Sequence, residues 1–332
     1  MPVSVIISTN TLRRWSLLIE TLASLERQTL APHEVIVVVD HNNDLRTRIE
    51  PVLGRITAFP ARAVDSVYES GLSGARNTGV EHAVGDIVAF IDDDAIASDA
   101  WLQELVEGFR DSDVWAVGGS VAPRWLAERP GWLADEFYWV IGCTYKGMPL
   151  EQAKVRNLHG CNAAFRREAF EEIGLFSTSL GRRGNFLAGA EETELCLRIT
   201  AKRPDKSILF SPRAVVFHAV PKERTRWPYF LARCFSEGRS KAWMVRSTGL
   251  SRGLSDESRY LRNIPRLTLQ LIGDAARKRR SAPLLLAAGV VAGAAATVGG
   301  FLFEAPAAQG RNSLKNTKGE RSDAEPKASS SR

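Results

Sequence analysis

Cysteine is scarce in this chain, and its few cysteines lie far apart. The four are Cys143, Cys161, Cys196 and Cys234, and no two form a Cys-x-x-Cys pair. Structural zinc sites and disulfide frameworks use closely spaced or paired cysteines, so neither is expected. The sequence opens on a strand-like apolar run and lacks the charged and apolar segments of a secretory signal. We therefore expect buried, reduced thiols in a protein that faces the cytosol.

Motifs of nucleic-acid binding are missing as well. The formal charge is +6, and basic residues crowd the second half of the chain, at 222–226, 233–246 and 277–280. No helix-turn-helix, zinc-finger or RNA-binding signature accompanies them, so no nucleic-acid partner is expected. Such clusters suit an anionic surface such as phospholipid or polyprenyl phosphate, and a solvated helix face is the alternative.

Long hydrophobic runs are absent apart from one near the C-terminus. Residues 283–303 carry no charge and follow a basic cluster at 277–280. The length of this uncharged run and the basic cluster before it predict a transmembrane or membrane-associated helix. The rest of the chain is then expected on the cytoplasmic face of the cell membrane. Because the run is rich in alanine and glycine, a hairpin dipping into one leaflet and an interfacial helix are alternatives. Residues 226–280 are expected to form a basic helical region, and 304–332 a disordered tail.

Among the features that are present, three consecutive carboxylates are the most informative. Asp92, Asp93 and Asp94 follow a strand-like run at 86–91. An apolar strand is normally buried, so three acids at its end repel one another unless something offsets their charge. A divalent cation such as Mg²⁺ or Mn²⁺ suits these hard oxygen ligands and would in turn hold phosphates. The alternative is a solvated acidic turn that caps the next helix.

Residues 3–100 alternate short apolar strands with helical patterns. We predict strands at 3–8, 34–40, 56–59 and 86–91, and helices at 17–28 and 73–84. This alternation predicts an α/β fold in which helices cover a parallel, Rossmann-like sheet. Ligands of such sheets bind beyond the carboxyl ends of the strands. Thr9, Asp40 and the three aspartates follow those ends, so we expect them to form one site.

Taken in order, several segments resemble family 2 glycosyltransferases of the GT-A fold. The segments are 3–10, 24–29, 34–44, 71–79 and 85–94. The resemblance runs from residue 3 to about residue 218 and implies a mostly parallel sheet flanked by helices. It also implies a glycosyltransferase domain over 1–225, with a nucleotide-binding half at 1–100 and an acceptor half at 101–225.

The same resemblance implies roles for the polar residues at the sheet edge. A nucleotide-sugar-binding set is implied at Thr9, Asp40, Arg76, Asp92 and Asp93. A site for Mn²⁺ or Mg²⁺ is implied at Asp94 and His218.

Three of these residues also suit a purely structural role. Asp40 suits a turn, and His218 suits a satisfied core or edge position after an apolar run. Arg76 suits a surface helix, where it would pair with Asp44 or Asp86.

A later segment, 188–198, resembles the "ED" motif of the family, in which the second acid acts as the general base. That acid is Glu192 here, and Glu191 precedes it. The choice among Glu191, Glu192 and Glu194 stays open, because on a helix Glu191 and Glu194 share a face. An acid that is not catalytic would pair with Arg198 or satisfy helix amides.

Acceptor-side residues are implied in two further places. Within 158–167, Gly160 and Asn162 belong to a segment whose small residues would admit the sugar closely. An aromatic stretch contains Trp139, and Arg183 lies in a later loop. Aromatic faces pack on sugars and lipid chains, and arginine binds phosphate. A hydrophobic cover over the sheet is the alternative for the aromatic residues.

The stretch 132–145 is similar to family members described as glucuronosyltransferases acting on polyprenyl- or dolichyl-phosphate-linked sugars. The expected activity is an inverting transfer from a nucleotide sugar, most simply a UDP-sugar, to a lipid-linked or glycan acceptor at the inner membrane surface. The competing interpretations are a sugar-phosphate nucleotidyltransferase and a non-catalytic membrane protein that binds nucleotide sugars.

Overall fold

The computed structural model describes residues 1–178, 191–248, 255–278 and 281–304. Its strands are β1 (Val3–Thr9), β2 (Glu34–Val39), β3 (Ala61–Asp65), β4 (Ile87–Ile91), β5 (Ala95–Ala97), β6 (Val114–Trp125), β7 (Ala153–Lys154), β8 (Asn162–Arg166) and β9 (Ser207–Val220). Its α-helices are α1 (Trp15–Glu26), α2 (Asn43–Leu53), α3 (Leu72–His82), α4 (Trp101–Glu107), α5 (Arg167–Ile173), α6 (Glu191–Lys202), α7 (Trp227–Thr248), α8 (Ser255–Lys278) and α9 (Ala282–Glu304). Short 3₁₀ helices lie at Leu12–Arg14, Asp135–Ile141 and Lys222–Thr225.

All nine of these strands belong to one sheet, in the order β3-β2-β1-β4-β8-β6-β9-β5, with β7 paired to β9. The first four strands of that order run parallel to one another. The β4–β8, β6–β8, β5–β9 and β7–β9 pairs are antiparallel, whereas β6 and β9 are parallel. The predicted parallel sheet is confirmed for β1 to β4, and the whole sheet is mixed.

The apolar runs fold as strands because both faces of the sheet are covered. Along β2, Val35 and Val37 face one hydrophobic cluster, whereas Ile36 and Val38 face another. Successive side chains of a strand point to opposite faces, so a continuous run of valine and isoleucine fills both cores at once. Every residue of β2 is buried.

The third strand lies later in the chain than the sequence pattern predicted. It spans Ala61–Asp65 rather than 56–59, and Ala61 is paired with Val35 of β2. Pro60, which lacks a backbone N–H, accepts from the Val35 amide (2.9 Å) just before the strand begins. The apolar residues of 56–59 misled the prediction, because Phe59 is buried in the hydrophobic core without belonging to a strand.

The carboxyl ends of β1, β2 and β4 lie side by side, as expected for neighbouring parallel strands. β1 ends at Thr9, whose carbonyl accepts from the Asp40 amide at 2.8 Å. β4 ends at Ile91, directly before Asp92. The residues that follow the three strands are therefore brought to one edge of the sheet.

The C-terminal apolar run forms helix α9, which packs against α7 and α8. Three of its glycines permit the close approach: a Cβ at Gly289 would meet the Trp132 backbone, at Gly293 the ring of Phe137, and at Gly300 the Phe235 backbone. Of the described helices, α9 is the one long and apolar enough to cross a membrane, with a mean hydropathy of 2.0. One face of α9 is thus held by the rest of the protein.

The opposite face of α9 is apolar and open. Its large exposed side chains are Leu284, Leu285, Val291, Val298, Leu302 and Phe303. The expected tail at 304–332 lies outside the described residues beyond Glu304.

Candidate active site

Two arginines partner the three consecutive aspartates. Arg14 Nη1 lies 2.8 Å from Asp93 Oδ1 and 3.2 Å from Asp94 Oδ2. Arg76 Nη2 lies 3.3 Å from Asp92 Oδ1. Because Asp93 and Asp94 are only 2% and 5% exposed, the alternative of a solvated acidic turn is wrong. The charge repulsion in this cluster is offset by guanidinium groups before any metal is considered.

Asp93 is the most enclosed of the three acids. The Thr9 hydroxyl donates to its Oδ2 at 2.7 Å, and Arg14 Nη1 donates to its Oδ1. Burial raises the pKa of Asp93 to about 6, although Arg14 and the Thr9 hydrogen bond favour the carboxylate. Thr9 and Asp93, both assigned to nucleotide-sugar binding, are therefore direct neighbours.

Asp40 is held in place at the end of β2 by three donors. Its Oδ2 accepts from the Ser70 hydroxyl and from the Gly71 amide, both at 3.0 Å, and its Oδ1 lies 2.7 Å from His41 Nδ1. The carboxylate is mostly buried and joins β2 to the loop before α3. Its two distant partners bring Asp40 into the packing at the strand ends, and its side chain forms no local turn among the described residues.

Asp92, Asp94 and His218 form a cluster with the donor atoms of a metal site. One ligand atom from each lies within 4.8 Å of the other two. His218 comes from β9, where it pairs with Ala95 of β5, and its Nε2 lies 3.4 Å from Asp94 Oδ1. Two carboxylates and one imidazole suit Mn²⁺ or Mg²⁺ and lack the thiolates that favour softer metals. The sequence assigned Asp94 and His218 to a metal site, and in the structure Asp92 belongs to the same cluster.

Arg76 is buried at the centre of the site rather than exposed on a helix surface. Its Nη1 lies 3.0 Å from Glu191 Oε1, in addition to the contact with Asp92. Burial disfavours the charged form, yet the carboxylates of Asp92 and Glu191 raise the pKa of Arg76 above its usual value. The alternative of a surface residue paired with Asp44 or Asp86 is wrong, because α3 turns Arg76 towards the strand ends.

The three acids of α6 have different surroundings. Glu191 is buried against Arg76, and Glu194 binds Arg198 through both of its oxygens, at 2.6 and 2.9 Å. Glu192 is half-buried and lines the cavity beside the site. The expected structural pairing with Arg198 is made by Glu194, whereas Glu191 and Glu192 both line the cavity, and Glu191 is the one bound to Arg76.

The predicted acceptor-side residues separate into two groups. Gly160 and Trp139 line the cavity, and a Cβ at Gly160 would meet the Arg76 guanidinium. Asn162 is fully buried instead: its Oδ1 accepts from Trp101 Nε1, and its Nδ2 donates to the carbonyls of Ser120 and Ala214. A direct acceptor contact by Asn162 is therefore corrected to a positioning role between β6, β8 and β9. Arg183 lies outside the described residues.

A cavity of about 440 Å³ opens beside Asp92 and Glu192. Trp139, Tyr145 and His159 line it, and burial lowers the pKa of His159 to about 4. That imidazole is neutral at physiological pH and adds no charge to the cavity. The four cysteines are buried and free, as expected, and burial raises the pKa of each thiol.

Arg14 and Arg224 are site residues that sequence reasoning missed. Arg14 ends the short 3₁₀ helix at Leu12–Arg14, between β1 and α1. Arg224 Nη1 lies 3.4 Å from His218 Nε2 and donates to the Ile141 carbonyl at 3.1 Å. Arg224 belongs to the basic cluster at 222–226, but the sequence does not indicate that this one member reaches the metal cluster.

Comparison with known proteins extends these observations. The family model described as "Glycosyl transferase family 2" matches residues 4–174. A glucosyl-dolichyl phosphate glucuronosyltransferase of Haloferax volcanii is 34% identical over 265 residues, covering 80% of this chain and 83% of the relative. The succinoglycan biosynthesis protein ExoM of Rhizobium meliloti is 27% identical, covering 83% of this chain and 88% of the relative.

Solved structures share the fold at low sequence identity. A mannosyltransferase of Pyrobaculum calidifontis in complex with GDP-Man and Mn²⁺ has a TM-score of 0.57 and 21% identity, covering 89% of this chain and 86% of that chain. A GalNAc transferase with UDP, GalNAc and Mn²⁺ has a TM-score of 0.53 and 17% identity, covering 78% of this chain and 53% of that chain. The sheet order, the acidic edge and the family match lead to one conclusion: this chain belongs to glycosyl transferase family 2 and is a glycosyltransferase of the GT-A fold.

Proposed function

We propose that this enzyme transfers a sugar from a UDP-sugar to a lipid-linked acceptor at the cytoplasmic face of a membrane, with the help of a divalent metal. The observation that carries this proposal is the juxtaposition of two groups at one sheet edge. The cluster of Asp92, Asp94 and His218 adjoins a cavity that Glu192 also lines. This arrangement supports a site in which donor activation and acceptor deprotonation occur next to each other.

The donor nucleotide is assigned to the edge formed by Thr9, Asp40 and Asp93. The three residues follow adjacent parallel strands, where nucleotides bind in open α/β sheets. Carboxylates accept hydrogen bonds from ribose hydroxyls and from the uracil N–H. Ser70, Gly71 and Arg14 fix the orientation of the two carboxylates before the donor arrives.

Asp92, Asp94 and His218 would hold Mn²⁺ or Mg²⁺, which stabilises negative charge on the diphosphate leaving group. The protein prepares this metal site: the two acids directly follow β4, and β9 carries the imidazole. The Asp94 carbonyl accepts from the Ala219 amide at 2.9 Å, which ties the two elements together next to the ligands.

Glu192 is assigned as the general base. It accepts the proton of the acceptor hydroxyl, the acceptor oxygen bonds to the anomeric carbon, and the bond from that carbon to the diphosphate breaks. Glu191 is less suited, because its carboxylate is held by the buried Arg76 guanidinium. A single displacement of this kind inverts the configuration at the anomeric carbon.

Two features support a lipid-linked acceptor. The relative of Haloferax volcanii carries glucosyl-dolichyl phosphate in its name. In this chain, α9 presents an exposed apolar face, and the sequence before it carries four consecutive basic residues at 277–280. Basic segments next to apolar helices favour the cytoplasmic leaflet, which is anionic.

A transfer assay tests the proposal. The full chain, purified in detergent, is incubated with Mn²⁺, labelled UDP-sugars and lipid-phosphate-linked monosaccharides, and the extracted lipid products are analysed by mass spectrometry. We expect one UDP-sugar to yield a lipid-linked disaccharide with inverted anomeric configuration. Donor hydrolysis without transfer to any lipid acceptor would contradict the assigned acceptor, and binding without turnover would favour a non-catalytic protein.

A further inference from the structure

The cavity beside Glu192 continues well beyond the catalytic residues. It runs to helices α7 and α9, where Arg233, Glu237 and Lys241 line it. These three residues are spaced four apart and therefore lie on one face of α7. Thr9, Asp40 and Asp93 do not line the cavity, so it lies on the acceptor side of the catalytic centre.

The far part of the cavity is rich in positive charge. Arg224, Arg233 and Lys241 line it together with one carboxylate, Glu237, which lies 3.1 Å from Lys241 Nζ. Arg224 and Arg233 are only 8% and 6% exposed. With three cations against one carboxylate, this part of the lining favours an anionic occupant.

The charge of the lining reverses along the cavity. Beside the metal cluster the lining carboxylates are Asp92, Glu191 and Glu192, with Arg76 among them. Arg224 connects the far part to the metal cluster, since its Nη1 lies 3.4 Å from His218 Nε2. An occupant with a neutral sugar at one end and a phosphate at the other matches this polarity.

The wall contributed by α9 is apolar and leads to the surface. Ala294, Val298, Phe301 and Leu302 line the cavity. Val298 and Leu302 are also 45% and 61% exposed, so the cavity reaches the open apolar face of α9. A hydrocarbon chain can leave the cavity there without crossing a polar surface.

We propose that Arg233 and Lys241 bind the phosphate of a lipid-linked acceptor, whose chain follows α9 and whose sugar faces Glu192. This assignment rests on the proposed function and adds the residues that recognise the acceptor. Guanidinium and ammonium groups form charge-assisted hydrogen bonds with phosphate oxygens. The order of carboxylates, cations and apolar side chains along the cavity is the order of sugar, phosphate and chain in such a molecule.

Calorimetry tests the subsite without any transfer. The full chain in detergent micelles, with EDTA and without nucleotide sugar, is titrated with farnesyl phosphate, farnesol or inorganic phosphate. We expect farnesyl phosphate to bind more tightly than either fragment. Arg233→Gln and Lys241→Gln are each expected to weaken its binding about tenfold. Lys222→Gln removes an exposed cation that does not line the cavity, and it should change nothing.

Three results would overturn the assignment. Equal affinity for farnesol and farnesyl phosphate would leave only a site for the chain, and equal affinity for inorganic phosphate would make the site one for free phosphate. Unchanged affinity in both variants would remove the two cations from recognition. Because Arg233 is buried, Arg233→Lys is included, and it should bind more tightly than Arg233→Gln if charge rather than folding is responsible.

Steady-state kinetics separates this subsite from the catalytic proposal. With a lipid-phosphate-linked sugar as acceptor, Lys241→Gln should raise the acceptor KM about tenfold, while the donor KM changes much less. A rise confined to the donor KM would assign the cations to the nucleotide diphosphate instead. If the wild-type enzyme transfers to no lipid acceptor, the proposed function fails, and calorimetry still decides the phosphate site.

Discussion

The donor edge and the acceptor cavity of this enzyme are built in contrasting ways. At the donor edge, short polar side chains are tied by direct hydrogen bonds, such as Thr9 to Asp93 and Ser70 to Asp40. The acceptor cavity is a space of about 440 Å³ between a sheet and two helices, lined by long cationic and apolar side chains. The contrast suggests that the donor site is rigid and preorganised, whereas the cavity is shaped by packing.

The strongest test of this comparison is to remove the general base assigned to the acceptor cavity. Sugar transfer that continues without this base would contradict the roles given to the two regions. Glu192→Gln keeps the size of the side chain but cannot accept the proton, so we expect kcat to fall by about 10²- to 10⁴-fold. Donor affinity, measured by calorimetry with Mn²⁺, should change little, because Glu192 lines the cavity and not the donor edge. Turnover at the wild-type rate would remove Glu192 from the mechanism. Glu194→Gln is the matched control, since Glu194 is bound to Arg198.

Arg76 joins the two regions, because it pairs with Asp92 at the edge and with Glu191 beside the cavity. Arg76→Met leaves two carboxylates without their cation, one of them buried, and should lower the free energy of unfolding by about 3–5 kcal/mol. Chemical denaturation followed by circular dichroism measures this change. Arg110→Ala, at an exposed ion pair with Glu107, should stay within about 0.5 kcal/mol. Equal losses of unfolding free energy in Arg76→Met and Arg110→Ala would show that the ion pairs of Arg76 stabilise the fold no more than an exposed ion pair does.

Donor binding at the sheet edge is expected to depend on the metal-binding cluster of Asp92, Asp94 and His218. Asp94→Ala should weaken Mn²⁺-dependent binding of the nucleotide sugar by about 100-fold, because it removes one of three clustered ligands. Binding in EDTA should differ little between this variant and the wild type. Calorimetric titration with and without Mn²⁺ measures both. Identical Mn²⁺ dependence in the two proteins would contradict the assigned ligand.

Packing of α9, which shapes the cavity, is tested by two neighbouring glycines. A Cβ at Gly300 would meet the Phe235 backbone, so Gly300→Ala should destabilise the protein by about 1–3 kcal/mol. A Cβ at Gly299 would meet nothing within 4 Å, so Gly299→Ala should stabilise the helix by about 1 kcal/mol. Thermal unfolding in detergent measures the difference between the two variants. Stabilisation by both would mean that α9 does not pack on α7 in solution.

The same contrast explains what the sequence could predict. The donor edge follows from local patterns, since apolar strands that end in Thr9, Asp40 and Asp92 bring those residues together once the strands are parallel. The register of β3 was missed, because the apolar side chain of Phe59 is buried without belonging to a strand.

The acceptor side was harder to predict because its residues come from distant segments. Trp139, Glu192 and Arg233 come from the 3₁₀ helix at Asp135–Ile141, from α6 and from α7, and they line one cavity because these elements pack together. For Asn162 the sequence identified the segment but not the direction of the side chain. Its amide is hydrogen-bonded to Trp101 and to two backbone carbonyls. Motifs identify the segments of a site, but packing decides which of their side chains face the substrate.

The proposed mechanism depends most on a divalent cation bound by Asp92, Asp94 and His218. The His218 imidazole gives this metal site a spectroscopic signature. Electron spin echo envelope modulation of bound Mn²⁺, recorded with a nucleoside diphosphate present, reports nitrogen coordinated to the metal. We predict modulation from one imidazole nitrogen in the wild type and its loss in His218→Ala. Mn²⁺ that binds without nitrogen modulation, or with modulation that survives in His218→Ala, would contradict the assigned metal centre.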